Sequence, residues 1–312
     1  MLTIRPATVA DAAEISAVHC SDIVAWKWWD AAGEAHWADY AALTPAQRWQ
    51  NGGPWMDATT CSLHLERWMA REGLALVAEA DGQIVAEAEV VLGEEPPPFG
   101  RHLNLSVIYT LRGHAGRGLG SALMDAIHAR ARATHCATLV VSYADAAQFY
   151  AKHGFALHQT WRRAKLTAQF GNTQYTATRF DDADYDTVRG WAMPVGRYQS
   201  ARQEWERMRP GAEPAFTEWA NLRLERWFLT VRQKPAVLVL DESPRSPGTA
   251  DVHVWLPPGQ TLTRQHLAAI RDRAAHSGFR ELLWFVAEST LPALGAPWET
   301  DGYKQQVWVK FL

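Results

Sequence analysis

Cysteine is scarce, with three residues in 312. Cys20, Cys61 and Cys136 stand too far apart for metal-ligand spacing or a disulfide framework. No apolar run approaches the ~20 residues that span a bilayer. The opening Met1-Leu2-Thr3-Ile4-Arg5-Pro6 is no charged-then-apolar leader, so a cytoplasmic location without membrane insertion is expected. Charge of one sign is lacking too: 31 Lys and Arg face 34 Asp and Glu, for a net charge of -3. That balance offers no general basic field, which argues against nucleic acid as a partner. With 47% hydrophobic and 21% charged residues, the chain has enough apolar content for a packed core. Its length allows one large domain or two of about 150 residues.

Tryptophan is plentiful, at 16 residues, and Trp26, Trp28, Trp29, Trp37, Trp49, Trp55 and Trp68 crowd one early stretch. A large ring with a polar N–H serves cores, interfaces and ligand walls alike. Most of these rings are expected to pack helices, with one or two lining a pocket.

Alternation predicts a first strand at Leu2–Arg5, and Thr8 with Asp11 forms a capping box before a helix with Ala12, Ile15 and Val18 on one face. A helical Trp-rich region follows, then a helix from Asp57 through Trp68. Strands 74–80 and 84–92 join across Asp81-Gly82, a strong hairpin signal. Glu94 through Pro98 reads as a loop because prolines cannot donate to a ladder. A strand at 103–111, a helix at 121–134, a strand at 138–141, a helix at 145–152 and two more strands through Leu166 complete the first half.

After a Gly171-Asn172-Thr173 linker the order repeats weakly. Tyr175–Arg179 mirrors the opening strand, helices are expected at 191–209 and 218–229, and strands at 236–240, 251–256, 282–286 and 306–311 flank a helix at 267–275. Repetition of element order suggests a degenerate duplication, with domains at 1–168 and 175–312.

The segment richest in chemistry runs from Leu105 to Leu123. A strand ends, Gly113, Gly116, Gly118 and Gly120 come next, and an amphipathic helix begins at once. Glycines let the backbone turn its N–H groups inward, and a helix N-terminus adds about half a positive charge. Together these make a phosphate pocket, with Arg112 and Arg117 as additional cations. A tight turn without a ligand is the alternative. A P-loop is disfavoured because Leu119-Gly120 stands where Lys-Ser/Thr should be. A dinucleotide fingerprint lacks its third glycine and an acidic residue ending the next strand.

Gly116-Arg117-Gly118-Leu119-Gly120-Ser121 resembles the Arg/Gln-x-x-Gly-x-Gly/Ala motif of the GNAT acyltransferase superfamily, and Ala146 through Phe155 resembles its Ala-x-x-x-Tyr-x-x-x-Gly-Phe helix. Ile4-Arg5-Pro6-Ala7-Thr8 with Asp11 is similar to the family's opening. The resemblance is good over 1–166 and weak over 175–312. It implies an α/β (α+β) fold: a mixed, mostly antiparallel central sheet flanked by helices, with two such domains in tandem. It implies acetyl-CoA or CoA as cosubstrate, bound in a gap between two splayed strands. Tyr109, Thr110 and Leu111 would line the arm of CoA, Ala115, Gly116, Arg117, Gly118, Leu119, Gly120 and Ser121 its pyrophosphate, and Tyr143 stands at the position before the second helix from which the family's Asn contacts the cofactor. Tyr150 would be the general acid. No metal is implied.

Three departures matter. Ala115 replaces Arg or Gln, Tyr143 replaces Asn, and Ser106 falls where many members carry a basic glutamate. Glu87 and Glu89, on one face of the preceding strand, are candidate bases acting through water, with His102 and His114 as further candidates. In the second half, Leu256-Pro257-Pro258-Gly259 replaces the glycine-rich loop and Trp298 stands in the place of Tyr150. That half is expected not to bind CoA in the family manner, and to wall the acceptor site or mediate dimerisation. The function implied is direct acyl transfer, most simply acetyl, to a primary amine such as a small molecule or a peptide N-terminus. The alternative is a non-catalytic acyl-CoA sensor.

Overall fold

The computed structural model describes residues 1–30, 32–212, 214–296 and 298–312. Strand β1 (Leu2–Pro6) leads into the capping box of Thr8 and Asp11 and helix α1 (Ala12–Cys20), which buries Ala12, Ile15 and Val18. The Trp-rich stretch departs from the helix expected for it. It forms a hairpin, β2 (Lys27–Trp29) and β3 (Ala35–Trp37), and then a short helix α2 (Pro45–Trp49). Ring-rich segments gain from cross-strand contact. Trp28 stacks on His36 at 4.6 Å, Lys27 lies 4.1 Å over Trp37, and Asp30 accepts the turn amides of Ala32 and Glu34.

Asp57 caps α3 (Ala58–Ala70) by accepting from the Thr59 amide at 2.9 Å. Strands β4 (Gly73–Ala80) and β5 (Gln83–Glu95) meet at Asp81 and Gly82, whose φ values of 51° and 81° match the twist of a two-residue hairpin. Strand β5 continues through Glu94 and Glu95, residues expected in a loop. Their ladder to β6 (Gly100–Thr110) persists up to Glu95 opposite Gly100, so only the segment holding the prolines turns. Then come α4 (Leu119–Ala133), β7 (Thr138–Val141), α5 (Ala147–Lys152) and β8 (Ala156–Thr167). One strand, not two, occupies 156–167.

The second half comprises β9 (Tyr175–Arg179), β10 (Ala192–Val195), α6 (Ala201–Arg207), β11 (Leu224–Val231), β12 (Lys234–Glu242), β13 (Thr249–Leu256), α7 (Arg264–His276), β14 (Glu281–Ala287), α8 (Leu291–Leu294) and β15 (Glu299–Phe311). Two expected helices are corrected. The first begins as β10 and becomes helical only after Ser200, whose side chain accepts from Gln203 N. The second is β11, paired on both sides by β9 and β12; those two ladders outweigh its weak helical pattern.

All strands but the β2–β3 hairpin form one 13-stranded sheet in the order β1-β4-β5-β6-β7-β15-β8-β14-β10-β13-β12-β11-β9. Most pairs are antiparallel; β6–β7 and β13–β14 are parallel. At the centre the halves interlock. Strand β15, from the end of the chain, sits between β7 and β8, while β8 sits between β15 and β14. Each half thus fills its last slot with a strand of the other. Helices α4 and α5 cover one face of the first half through Leu119, Leu123, Met124, Ile127 and Tyr150. On the opposite face α1 and α3 bury Ile15, Val18, Cys61 and Leu65 against Ala75, Val77 and Ile84. No helix is long and apolar enough to cross a membrane among the described residues.

Candidate active site

Strands β6 and β7 run in register from His102 opposite Thr138 to Leu105 opposite Val141, and there they part. Beyond Leu105, β6 keeps only its β5 partner. Glu89 faces Val107 and Val90 faces Leu105, so Ser106 is an extra residue, a bulge at the mouth of the fork. A bulge bends its strand and re-aims the residues beyond it, here Val107 to Leu111. Tyr109, Thr110 and Leu111 all lie on that limb; Tyr143 stands just past the end of β7 and stacks on Tyr198 of the second half at 5.1 Å.

The glycine-rich loop leaves this limb and enters α4. Gly113, Gly116 and Gly118 have φ of 85°, 79° and 79°, and a Cβ built on any of them meets nothing within 4 Å. The glycines are therefore required by backbone conformation, which other residues adopt at a cost of roughly 1–2 kcal/mol. Gly118 is the N-cap of α4, and the first-turn amides of a helix have no partner within it. Ala115, Gly116, Arg117 and Gly118 are exposed, while Leu119 is buried and anchors the helix. The Ser121 hydroxyl lies 3.1 Å from His153 Nε2, which ties α4 to the end of α5. Cationic Arg112 is tethered by its side chain to the Asp22 carbonyl at 3.1 Å. This cradle of turned backbone, helix end and arginines fits a pyrophosphate group, and the fork beside it fits an extended arm.

Tyr150 projects from α5 into the core beneath the fork, 4% exposed, with its ring against Phe149 and Phe155. Burial, and then the charges of Asp145 and Tyr109, hold its phenol well above the ordinary value. Its hydroxyl bonds to no group among the described residues. Tyr109, across the fork, is pushed up to about 12 by burial.

The two candidate carboxylates are fully buried under α1 and α3. Glu89 receives Trp55 Nε1 at 2.9 Å and contacts His64 Nε2 with both oxygens at 2.9 Å. Glu87 lies 3.0 Å from His19 Nε2, and the His19 ring is 4.4 Å from Tyr109. Burial and the Glu89 charge drive Glu87 well above the carboxylate range, while burial drives His19 down to about 3. Burial thus holds both members of this pair neutral, joined by the hydrogen bond between Glu87 Oε2 and His19 Nε2. Of the candidate histidines, His102 sits at the closed end of the β6–β7 pair, bonded to the Gly100 carbonyl at 3.0 Å, too deep to serve the fork. His114 lies in the loop, its amide donating to the Leu111 carbonyl.

A folded-state pKa above the unfolded one contributes stability that is full below the unfolded carboxylate pKa and declines as pH rises toward the folded value. Glu87→Gln keeps the shape of the protonated acid without titrating. Wild type is therefore expected to lose thermal stability relative to Glu87→Gln as pH rises above about 4.3, and paired melting curves from pH 4 to 9 check this. A constant difference between the two curves would refute it.

Reasoning from sequence did not anticipate the polar network at the fork's crotch. Asn104 Nδ2 donates to Gln199 Oε1 at 3.3 Å and to Gln203 Oε1 at 3.2 Å, and Ser106 Oγ donates to Gln203 Oε1 at 2.6 Å. Gln199 Nε2 donates to the Ser106 carbonyl at 3.0 Å, and Ser142 Oγ to Asn104 Oδ1 at 3.3 Å. Gln305 Nε2, on β15, donates to the carbonyls of Ser142 and Tyr198. A local signal existed in the alternation of Asn104 and Ser106 with Leu103 and Leu105, which marks a polar strand face. The partners lie some 95 residues away.

The second half has a fork of its own. Strands β13 and β14 pair from Thr249 opposite Glu281 to Val252 opposite Trp284, then separate. Strand β10 enters that gap, with Val195 paired to both Val254 and Val286. Gly196 then donates to the Phe285 carbonyl at 2.8 Å. Trp298 lies against Trp284, 5.8 Å between ring centroids, half-buried against that half's core. A group of Asp30, Glu34 and His36 also converges in the β2–β3 hairpin, where Asp30 is already engaged by two amides and His36.

Residues 71–157 match the acetyltransferase (GNAT) domain family. The whole chain superposes on a GCN5-related N-acetyltransferase from Anabaena variabilis with a TM-score of 0.64 at 9% identity, covering 100% of this chain and 73% of that one. It also superposes on one from Kribbella flavida with a TM-score of 0.60 at 12% identity, covering 100% and 71%. At such identities the likeness is one of fold. The sequence matches no curated protein.

Proposed function

We propose that this chain, which carries a GNAT acetyltransferase domain over residues 71–157, moves an acyl group from acyl-CoA to a primary amine by direct attack in a ternary complex. The observation that carries this reading is the fork between β6 and β7, opening beside a loop whose glycines have left-handed backbone and whose last residue caps α4. Amides from Gly116 to Ser121 grip the pyrophosphate, reinforced by Arg112 and Arg117. The limb from Val107 to Leu111 lines the arm, and amides there polarise the thioester carbonyl as it becomes an oxyanion.

The attacking amine must first lose a proton. Glu87 holds a proton of its own, and Glu89 has both oxygens engaged by His64, so water at the fork mouth takes it. These carboxylates support the Tyr109 side of the fork from beneath. On collapse of the tetrahedral adduct, the C–S bond breaks, Tyr150 gives its phenolic proton to the departing thiolate, and the proton shed by the adduct's nitrogen restores the phenol as the amide forms. The second half does not take CoA in this manner, because β10 already pairs into its fork. Acetyl is the simplest donor, a small amine or peptide N-terminus is the acceptor class, and a cytoplasmic setting suits both.

The test is to mix the intact protein with acetyl-CoA and a panel of primary amines while following free thiol. Amine-dependent thiol release is the expected result. Calorimetric binding without turnover across the panel would point to a sensor, and no binding at all would defeat the reading.

A further inference from the structure

The glutamines at the crotch of the fork belong to the second half, and they touch the one strand whose geometry the reaction depends on. Gln199 lies in the segment between β10 and α6, and Gln203 lies on α6 itself. Strand β10 is held in the second half's own fork, and it delivers this segment directly to the first. There the Ser106 carbonyl accepts from Gln199 Nε2 at 3.0 Å, and the Ser106 hydroxyl donates a hydrogen bond to Gln203 Oε1 at 2.6 Å. Asn104 bridges both glutamine oxygens and, through Ser142, the end of β7.

We infer that Gln199 and Gln203 are positioning residues for the acyl-transfer site, so that the second half completes the first half's fork. This rests on the acyltransferase reading above. A peptide unit is planar, so holding the Ser106 carbonyl also holds the Val107 N–H on the other side of the same plane. That is the first peptide of the splayed limb, located at a bulge where the ladder to β5 is disrupted and its orientation is not set by regular pairing. Gln199 fixes the plane, and Gln203 fixes the Ser106 side chain that shares it. The limb that resumes its β5 pairing at Val107 starts from that plane. Bringing both glutamines there requires the β10 insertion, which gives the closed second fork a purpose.

The two glutamines use their amides differently, and this makes the assignment testable. Gln203 contributes only its oxygen, which accepts two bonds, so a carboxylate can replace it. Gln199 uses both ends, accepting from Asn104 and donating to Ser106, so a carboxylate there faces a carbonyl oxygen. The experiment measures steady-state acyl transfer from acetyl-CoA by the full-length chain, with calorimetric affinity for acetyl-CoA and the melting temperature of each variant. Gln203→Met is expected to lower kcat by about tenfold or more, with little change in acetyl-CoA affinity or melting. Gln203→Glu should restore most of that loss, and Gln199→Glu should not. Equal behaviour of Glu at the two positions, or kcat within about twofold of wild type in all three, would overturn the assignment. So would a parallel fall of kcat, affinity and melting temperature, the mark of a structural role alone. Failure of wild type to bind acetyl-CoA removes the acyltransferase reading itself, and this inference with it.

Discussion

Tyr150→Phe is expected to reduce kcat by a factor on the order of 10² or more, leaving the KM for acyl-CoA and the melting temperature nearly unchanged. The phenol is a general acid in the proposed mechanism, and removing one typically costs that much. The fold does not need the hydroxyl. Its ring packs between Phe149 and Phe155, and phenylalanine fills the same space. Burial raises the phenol above its ordinary value, so it stays protonated through the working range and always has a proton to give. A variant with kcat intact would assign thiolate protonation to water and reduce Tyr150 to a packing residue. One that loses stability as well would reveal a partner for its hydroxyl.

Arg197→Met is expected to destabilise the chain by about 3–5 kcal/mol. Arg197 and Glu95 are each about 1% exposed in their side chains and join the two halves by a two-pronged ion pair, with Arg197 Nη2 to Glu95 Oε1 at 3.0 Å. The same oxygen receives the Ala201 amide at 3.1 Å, at the start of the helix that carries Gln203. The Arg197 guanidinium also lies 4.2 Å from the Phe99 ring centroid. Removing the cation leaves a buried carboxylate with only the Ala201 amide and His102 beside it to offset its desolvation, whereas removing both charges together costs far less. The double variant Glu95→Leu/Arg197→Met should therefore recover much of the loss.

The pH dependence separates these cases. In wild type, burial raises the Glu95 pKa, but Arg197 and then His102 more than offset it, and the net value is depressed. A depressed carboxylate contributes stability above its unfolded pKa and loses it as pH falls through the folded value. In Arg197→Met the largest opposing charge is gone and burial outweighs His102 and the Ala201 amide, so the sign reverses and stability falls as pH rises above about 4.3. Urea unfolding of both proteins between pH 3 and 8 reads this directly. Parallel curves would mean that Glu95 does not feel Arg197.

Much of the first half can be read from its residues because the signals are local. The Thr8–Asp11 capping box, the Asp81-Gly82 hairpin and the Asp57 cap each depend on side chains within a few residues of the backbone they serve. The glycine loop and α4 belong with them, since left-handed φ at Gly113, Gly116 and Gly118 is a property of those residues alone. The sites proposed on that loop, and Tyr150, were legible for this reason. The misreadings share an opposite cause. Trp28, Ala192 and Leu224 lie in segments whose pattern suits a helix, yet each became a strand because a ladder partner was available elsewhere.

The residues of this chain, taken alone, determined where the backbone curls, which helix ends are capped and which strand leads into a phosphate-sized cradle. Those features need no distant partner, because allowed φ and short-range hydrogen bonds specify them. Strand neighbours are another matter: β8 and β15 trade places across the middle of the sheet, β10 closes one fork, and Gln199 and Gln203 brace the other. A strand's hydrogen-bonding edge carries no address in its sequence, so only the packed chain could select among its partners.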